Sequence, residues 1–188
     1  MRFFYTGAKT FNALQANIIL SLGGFLSCTP IPNAQISNLF SDISSLSIER
    51  DNFTVIAIAL RNELDKDVED IFLWFDFPTD AFTKLEFAFV DVNDDGEGNL
   101  SIEKLSNPHS VPYFADFQEA NGEANKVNIG DLEKGKYLGL YIKQTFISDL
   151  GTKFTCDELT KNINDDGTFK TAPVTKEDIV LNLDWTEV

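Results

Sequence analysis

The feature that most constrains this chain is a series of short apolar runs whose side chains repeat every two residues. In an extended backbone, residues two apart share a face, so these runs read as strands. Phe53 to Leu60 (FTVIAIAL) is apolar on both faces, as a strand held between two layers must be. Ile71 to Phe77 (IFLWFDF) sets Ile71, Leu73, Phe75 and Phe77 against Phe72, Trp74 and Asp76. Leu85 to Val92 aligns Leu85, Phe87 and Phe89, and Tyr137 to Phe146 aligns Leu138, Leu140, Ile142 and Phe146. Ile179 to Trp185 alternates cleanly, with Ile179, Leu181, Leu183 and Trp185 opposite Val180, Asn182 and Asp184.

Turn-forming clusters separate the runs: Asn62 to Asp67, Pro78-Thr79-Asp80, Asn93 to Gly96, Glu133-Lys134-Gly135 and Asn164 to Gly167. Helical patterning is confined to Leu14–Leu22 and to Ile36, Leu39, Phe40 and Ile43, with Gly23-Gly24 and Pro30-Ile31-Pro32 ending the first stretch. The pattern predicts a mainly β fold, an antiparallel β-sandwich of immunoglobulin-like or jelly-roll-like type. A short N-terminal helical segment and a C-terminal arm or extra strand complete it. The expected division is residues 1–24 as an N-terminal arm or short helix, 25–147 as the β-sandwich and 148–188 as a C-terminal extension. Strands that are apolar on both faces need cover on both. A second sheet covers one face, and a neighbouring subunit is a natural cover for the other.

Composition narrows the function classes. The 188 residues suit one domain, and 43% hydrophobic residues suffice to form a core. Thirty acidic against 15 basic residues leave a net charge of -15, which opposes gripping nucleic acid or docking on an anionic membrane. No apolar stretch reaches the roughly 18 residues of a membrane-spanning helix. One histidine and two distant cysteines, Cys28 and Cys156, do not supply the usual zinc ligand set. Arg2, the apolar Ile18-Ile19-Leu20 and Leu22 to Cys28 outline a secretory leader with a lipidated Cys28, but Asn12, Gln15 and Asn17 interrupt its apolar middle. The Phe25-Leu26-Ser27 before Cys28 also departs from the usual processing site.

Candidate chemistry is sparse. Asp91, Asn93, Asp95 and Gly96 match the start of a calcium loop, but its twelfth position is Ile102 and Glu103 comes one residue late. An acidic hairpin loop is the plainer reading, with calcium at Asp91, Asn93 and Asp95 as a weak candidate. The similar Asn162, Asn164, Asp166 and Gly167 have Pro173 where the last carboxylate belongs. His109 sits between Pro108 and Pro112 without a nucleophile signature and reads as a loop residue. No phosphate-binding or dinucleotide-binding fingerprint occurs. The expectation is a protein that is not an enzyme and carries no cofactor, catalytic residue or dedicated metal site.

Three further groups of residues stand out: Ser21-Leu22-Gly23-Gly24, Ile31-Pro32-Asn33 and Asn38-Leu39-Phe40-Ser41-Asp42-Ile43-Ser44; Ile58-Ala59-Leu60-Arg61-Asn62, of the form A-(I/L)-x-N; and Gly130-Asp131-Leu132-Glu133-Lys134-Gly135-Lys136-Tyr137, continuing to Lys143. In that order they resemble the opening, a strand end and the closing hairpin of a β-sandwich domain of tailed-bacteriophage virion proteins. The likeness spans roughly residues 20–147. It departs at Tyr141, where many relatives carry Trp, and at Gln144, where a basic residue is common. Phe-, Lys-, Asn- and Asp-rich usage is similar to that of phages of Bacteroidetes hosts, crAss-like phages among them.

The resemblance implies a structural subunit of a virion, most simply of a neck or tail ring. Its partners would be copies of itself and the portal, neck or tail proteins, with no direct contact to nucleic acid or membrane. A head-decorating role is the neighbouring possibility. The chain beyond about residue 148 would then be an arm whose strand adds to a neighbouring sheet edge. The acidic surface would let DNA slide past a ring lumen without sticking. The alternative is a secreted or lipid-anchored β-sandwich binding module of a bacterial surface.

Overall fold

The computed structural model describes residues 1–33, 39–40, 53–76, 83–146 and 180–188. Eleven strands make up most of these: β1 (Arg2–Ala8), β2 (Gly24–Pro30), β3 (Phe53–Arg61), β4 (Val68–Asp76), β5 (Thr83–Asp91), β6 (Asn93–Asp94), β7 (Leu100–Ile102), β8 (Gln118–Glu119), β9 (Val127–Leu132), β10 (Tyr137–Phe146) and β11 (Val180–Glu187). They form an eight-stranded sheet, β6-β7-β2-β1-β3-β10-β5-β8, and a three-stranded sheet, β11-β4-β9. Every pairing between named strands is antiparallel. The fold is mainly β and β-sandwich-like, as the period-two pattern predicts.

The large sheet is strongly curled, and its topology shows why. Strands β5 and β6 are separated only by Val92, yet they lie near opposite ends of the sheet order. Six antiparallel steps lead from one to the other, so both run in the same direction. They are therefore one bent strand that pairs with β10 through its first part and with β7 through its last. A strand shared by both edges rolls the sheet toward a closed barrel.

Each face of the roll has its own core. Ile56, Ile58 and Leu60 of β3, Leu138, Leu140 and Ile142 of β10, and Leu85 and Phe87 of β5 face outward from the roll onto the small sheet. There they meet Val68, Ile71, Leu73 and Phe75 of β4, Val127, Ile129 and Leu132 of β9, and Leu181, Leu183 and Trp185 of β11. Phe75 and Phe87 stack across the two sheets with ring centroids 4.6 Å apart. Inside the roll, Val55, Ala57, Ala59, Ala88, Leu26, Ile102, Leu105 and Tyr141 form a second core, in which Ala57, Ala59 and Ala88 are small. A Cβ at Gly139 would lie 2.6 Å from the Ile102 side chain, so glycine is what lets β7 close over β10. The two apolar faces read in Phe53–Leu60 are these two cores.

Two expected elements differ. The N-terminal residues supply β1, which lies between β2 and β3 inside the large sheet, because Phe3, Phe4 and Tyr5 are all buried there. The helical stretch shrinks to a 3₁₀ turn over Ile18–Leu20, capped by the Asn17 side chain. The expected C-terminal strand is present as β11, and the edge it occupies is that of its own β4. Of the second helix-like group, Leu39 and Phe40 are buried in the sandwich core, while Ile36 and Ile43 lie outside the described residues. So do Phe77, Cys156, Ile179 and the Asn162–Gly167 cluster.

Candidate functional site

The segment from Glu103 to Phe117 closes over the open side of the roll. Leu105 is buried inside, Ala115 and Phe117 pack against the same core, and Pro112 is buried. The backbone is fastened along β3 and the preceding loop: Val55 N–H donates to the Pro108 carbonyl (2.7 Å) and Leu105 N–H to the Leu22 carbonyl (2.7 Å). His109 Nδ1 lies 2.9 Å from the Phe53 carbonyl, an acceptor only, so this nitrogen carries the proton. His109 therefore ties the loop down, in keeping with its reading as a loop residue.

This anchoring leaves one element standing out. Tyr113 and Phe114 are 80% and 87% exposed, and their rings meet edge to face with centroids 4.3 Å apart. Both carboxylate oxygens of Glu103 accept the Tyr113 N–H at 3.1 Å. The Glu103 carbonyl accepts the hydroxyl of buried Tyr141 at 2.6 Å. Burial pushes the Tyr141 phenol well above its ordinary value, and the Glu103 charge adds to this. Gly23, at positive φ, packs so closely against the Glu103 carbonyl that no Cβ would fit there. Elsewhere, the 3₁₀ turn exposes Ile19 and Leu20. The Glu103–Phe117 segment thus holds two aromatic side chains out into solvent on a hydrogen-bonded backbone. Nothing in the period-two reading singles these residues out. The available signal was Pro112-Tyr113-Phe114, two aromatics after a proline and outside any alternating run.

A buried polar cluster lies at the end of the same concave face. Glu86 on β5 pairs with Lys143 on β10 at 2.7 Å and with Lys84 at 3.1 Å, and Lys84 reaches Glu119 at 3.5 Å. Lys143 also sits 4.5 Å above the Phe117 ring. Burial pushes the Glu86 carboxyl up, but hydrogen bonds from Lys143 and Lys84, aided by their charges, outweigh it and hold it below the usual range. Its chemistry is that of a satisfied ion pair joining β5 to β10.

The calcium candidates form a self-capped turn. Asp91 ends β5 and Asn93 lies in β6, at the bend where the sheet passes from one edge to the other. Asp95 Oδ1 accepts the N–H groups of Glu97 (2.8 Å) and Asn99 (3.1 Å), and Oδ2 accepts the Asn99 amide (2.7 Å). These bonds, led by that of Asn99, hold the Asp95 carboxyl below its ordinary value. Among the described residues, no three His, Cys, Asp or Glu side chains gather as a metal site. Cys28 is a free thiol within β2.

In the segments quoted for the virion resemblance, Asn38 and residues 41–44 lie outside the described residues, while Ser21 and Asn62 join parts of the framework. The Ser21 hydroxyl accepts the Thr6 N–H, and the Ser21 carbonyl accepts that of Ala57. Asn62 is fully buried, and its amide donates to the carbonyls of Lys66 (2.8 Å) and Leu132 (2.9 Å), joining two turns at one end of the sandwich. Comparison with known proteins adds no relative: no family model, curated protein or solved structure matches the chain.

Proposed function

We propose that this protein is a structural subunit of a phage virion, acting through protein–protein contacts and most simply as a repeated subunit of a neck or tail ring. The observation that carries the reading is the exposed Tyr113–Phe114 pair, its backbone held by the Glu103 carboxylate. Exposed aromatics on a preorganised backbone are the side chains that dominate protein interfaces, because little ordering entropy is lost when they are covered. The motif resemblance supplies the virion setting. The described carboxylates occur in strands and turns alike, from Glu63 to Glu187.

The lipid-anchored alternative meets a structural objection. Processing at Cys28 would remove residues 1–27, and with them β1, most of β2 and the buried Phe3, Tyr5 and Leu26. Intact-mass measurement of the native protein separates the two readings. A chain retaining residues 1–27 is expected, whereas loss of them with a lipid on Cys28 establishes the alternative. Native mass spectrometry of concentrated protein, alone and with candidate ring partners, tests assembly. Oligomers or docking are expected, and a monomer without affinity for any virion protein contradicts the proposal.

A further inference from the structure

We propose that β11 is exchanged between copies of this chain, each subunit's C-terminal strand completing the three-stranded sheet of its neighbour. This step rests on the ring-subunit reading, which supplies the crowding that favours exchange.

The β11 ladder runs from Val180 opposite Asp76 to Glu187 opposite Val68. Among the described residues, its polar contacts to the rest of the molecule fall on the acceptor side: Asn182 donates to Asp76 (2.7 Å), Lys66 pairs with Glu187 (3.8 Å), Lys126 pairs with Asp184 (3.9 Å), and Val188 N–H donates to the Asp67 carbonyl (3.3 Å). Leu181, Leu183 and Trp185 add their apolar face to the sandwich core. A second copy's strand would make every one of these contacts identically. Between β10 and β11 lie 33 residues, 147–179, which span at most about 110 Å when extended. A compact domain of this length has a radius of gyration of about 16 Å, so the β4 edge of an adjoining copy is within reach.

Concentration then decides the partner. A strand tethered in cis sees its own edge at roughly millimolar effective concentration, falling with tether length. In dilute solution the chain should close on itself. Subunits packed in a ring present neighbouring edges at higher concentration, and the exchanged state loses no contact. Without β11, the β4 edge would expose unpaired N–H and C=O groups and uncover part of the core. Each copy must therefore receive a strand if it gives one, a condition that a closed ring meets.

The test uses full-length chains with Cys28→Ser and Cys156→Ser. One chain carries Asp76→Cys and the other Val180→Cys, two exposed positions facing each other in the ladder at a separation that a disulfide spans. The two are co-refolded, concentrated to about 1 mM, the order of the cis effective concentration, and oxidised. A covalent heterodimer is expected at roughly ten times the yield of a control pair, Asp76→Cys with Glu187→Cys, whose positions lie at opposite ends of the ladder; such an enrichment corresponds to about 1.4 kcal/mol. The double variant in a single chain checks the register by closing within the monomer when dilute. Heterodimer no more abundant than the control overturns exchange. Sedimentation of the uncross-linked protein separates the two levels. Oligomers without the specific cross-link overturn exchange and leave association standing, while monomers throughout overturn both.

Discussion

Strands β3 and β10 belong to two cores at once, and their two faces are built from different side chains. Toward the small sheet they present Ile56, Ile58, Leu60, Leu138, Leu140 and Ile142; toward the inside of the roll they present Phe53, Val55, Ala57, Ala59, Tyr137, Gly139 and Tyr141, with the small Ala59 and Gly139 paired at its centre. The large face keeps two sheets at the usual separation for sandwich packing. The small face allows the sheet to bend until β5 and β6 reach opposite edges. Side-chain size on alternate residues thus sets where the protein is layered and where it is rolled.

That comparison can be broken from either side. The largest effect is expected for Phe87→Ala, which removes one ring of the Phe75–Phe87 stack between the sheets. A loss of about 3–5 kcal/mol should appear as a lower urea midpoint, because the void cannot collapse fully. A loss under 1 kcal/mol would mean that the sheets are not held by this contact.

Inside the roll the sign of the size effect reverses. Ala57→Leu should destabilise by about 1–3 kcal/mol through overpacking, while Ile58→Leu on the opposite face costs less. Equal tolerance at the two positions would show that the roll has slack and that residue size does not shape it.

Tyr141→Phe removes the hydroxyl bond to the Glu103 carbonyl and should cost about 1 kcal/mol. The same group predicts an alkaline limit. Burial raises its folded-state pKa above the unfolded value near 10, so its contribution is complete below about pH 10 and is lost as pH rises through the folded value. Chemical denaturation between pH 8 and 11 should show a shallower alkaline decline in Tyr141→Phe than in the parent. Parallel curves would remove Tyr141 from the account.

At acid pH the expected effect is smaller and opposite in sign. Glu86 has a lowered folded-state pKa, so its contribution is present above the unfolded value of about 4.3 and is lost as pH falls through the folded one. Glu86→Gln should flatten that part of the stability curve. The smallest stability change, within about 0.5 kcal/mol, is expected for Tyr113→Ala with Phe114→Ala, since both side chains are exposed. Self-association or docking should nevertheless be lost. Unchanged assembly in that variant contradicts the assignment of the aromatic pair as the contact surface.

Much of the layering was legible in the chain. FTVIAIAL announces a strand with two buried faces, and Ile179–Trp185 announces β11, because burial in a sheet imposes period two directly on sequence. The roll was not legible. It depends on one strand, bent at Val92, pairing with β10 near residue 140 and with β7 near residue 101, and that long-range pairing leaves no local mark. The same bend explains why Asp91 to Gly96 resembles a cation loop: Asp and Asn at a tight turn cap backbone N–H groups, as Asp95 does here. β1 was missed because Phe3, Phe4 and Tyr5 run together without polar alternation at the chain's start. Ser21, Gly23 and Asn62 lay in the segments that carried the resemblance, and each secures a junction of the framework. The aromatic pair at Tyr113 and Phe114 was invisible to a search for periodicity, since a contact residue on a loop obeys no period.

Quantitative mass spectrometry of purified virus particles tests the central proposal most directly. A structural ring subunit should be present as the chain retaining residues 1–27, in a fixed small-integer ratio to the portal protein. Absence from purified particles, or recovery from host membranes with a lipid on Cys28, would contradict it.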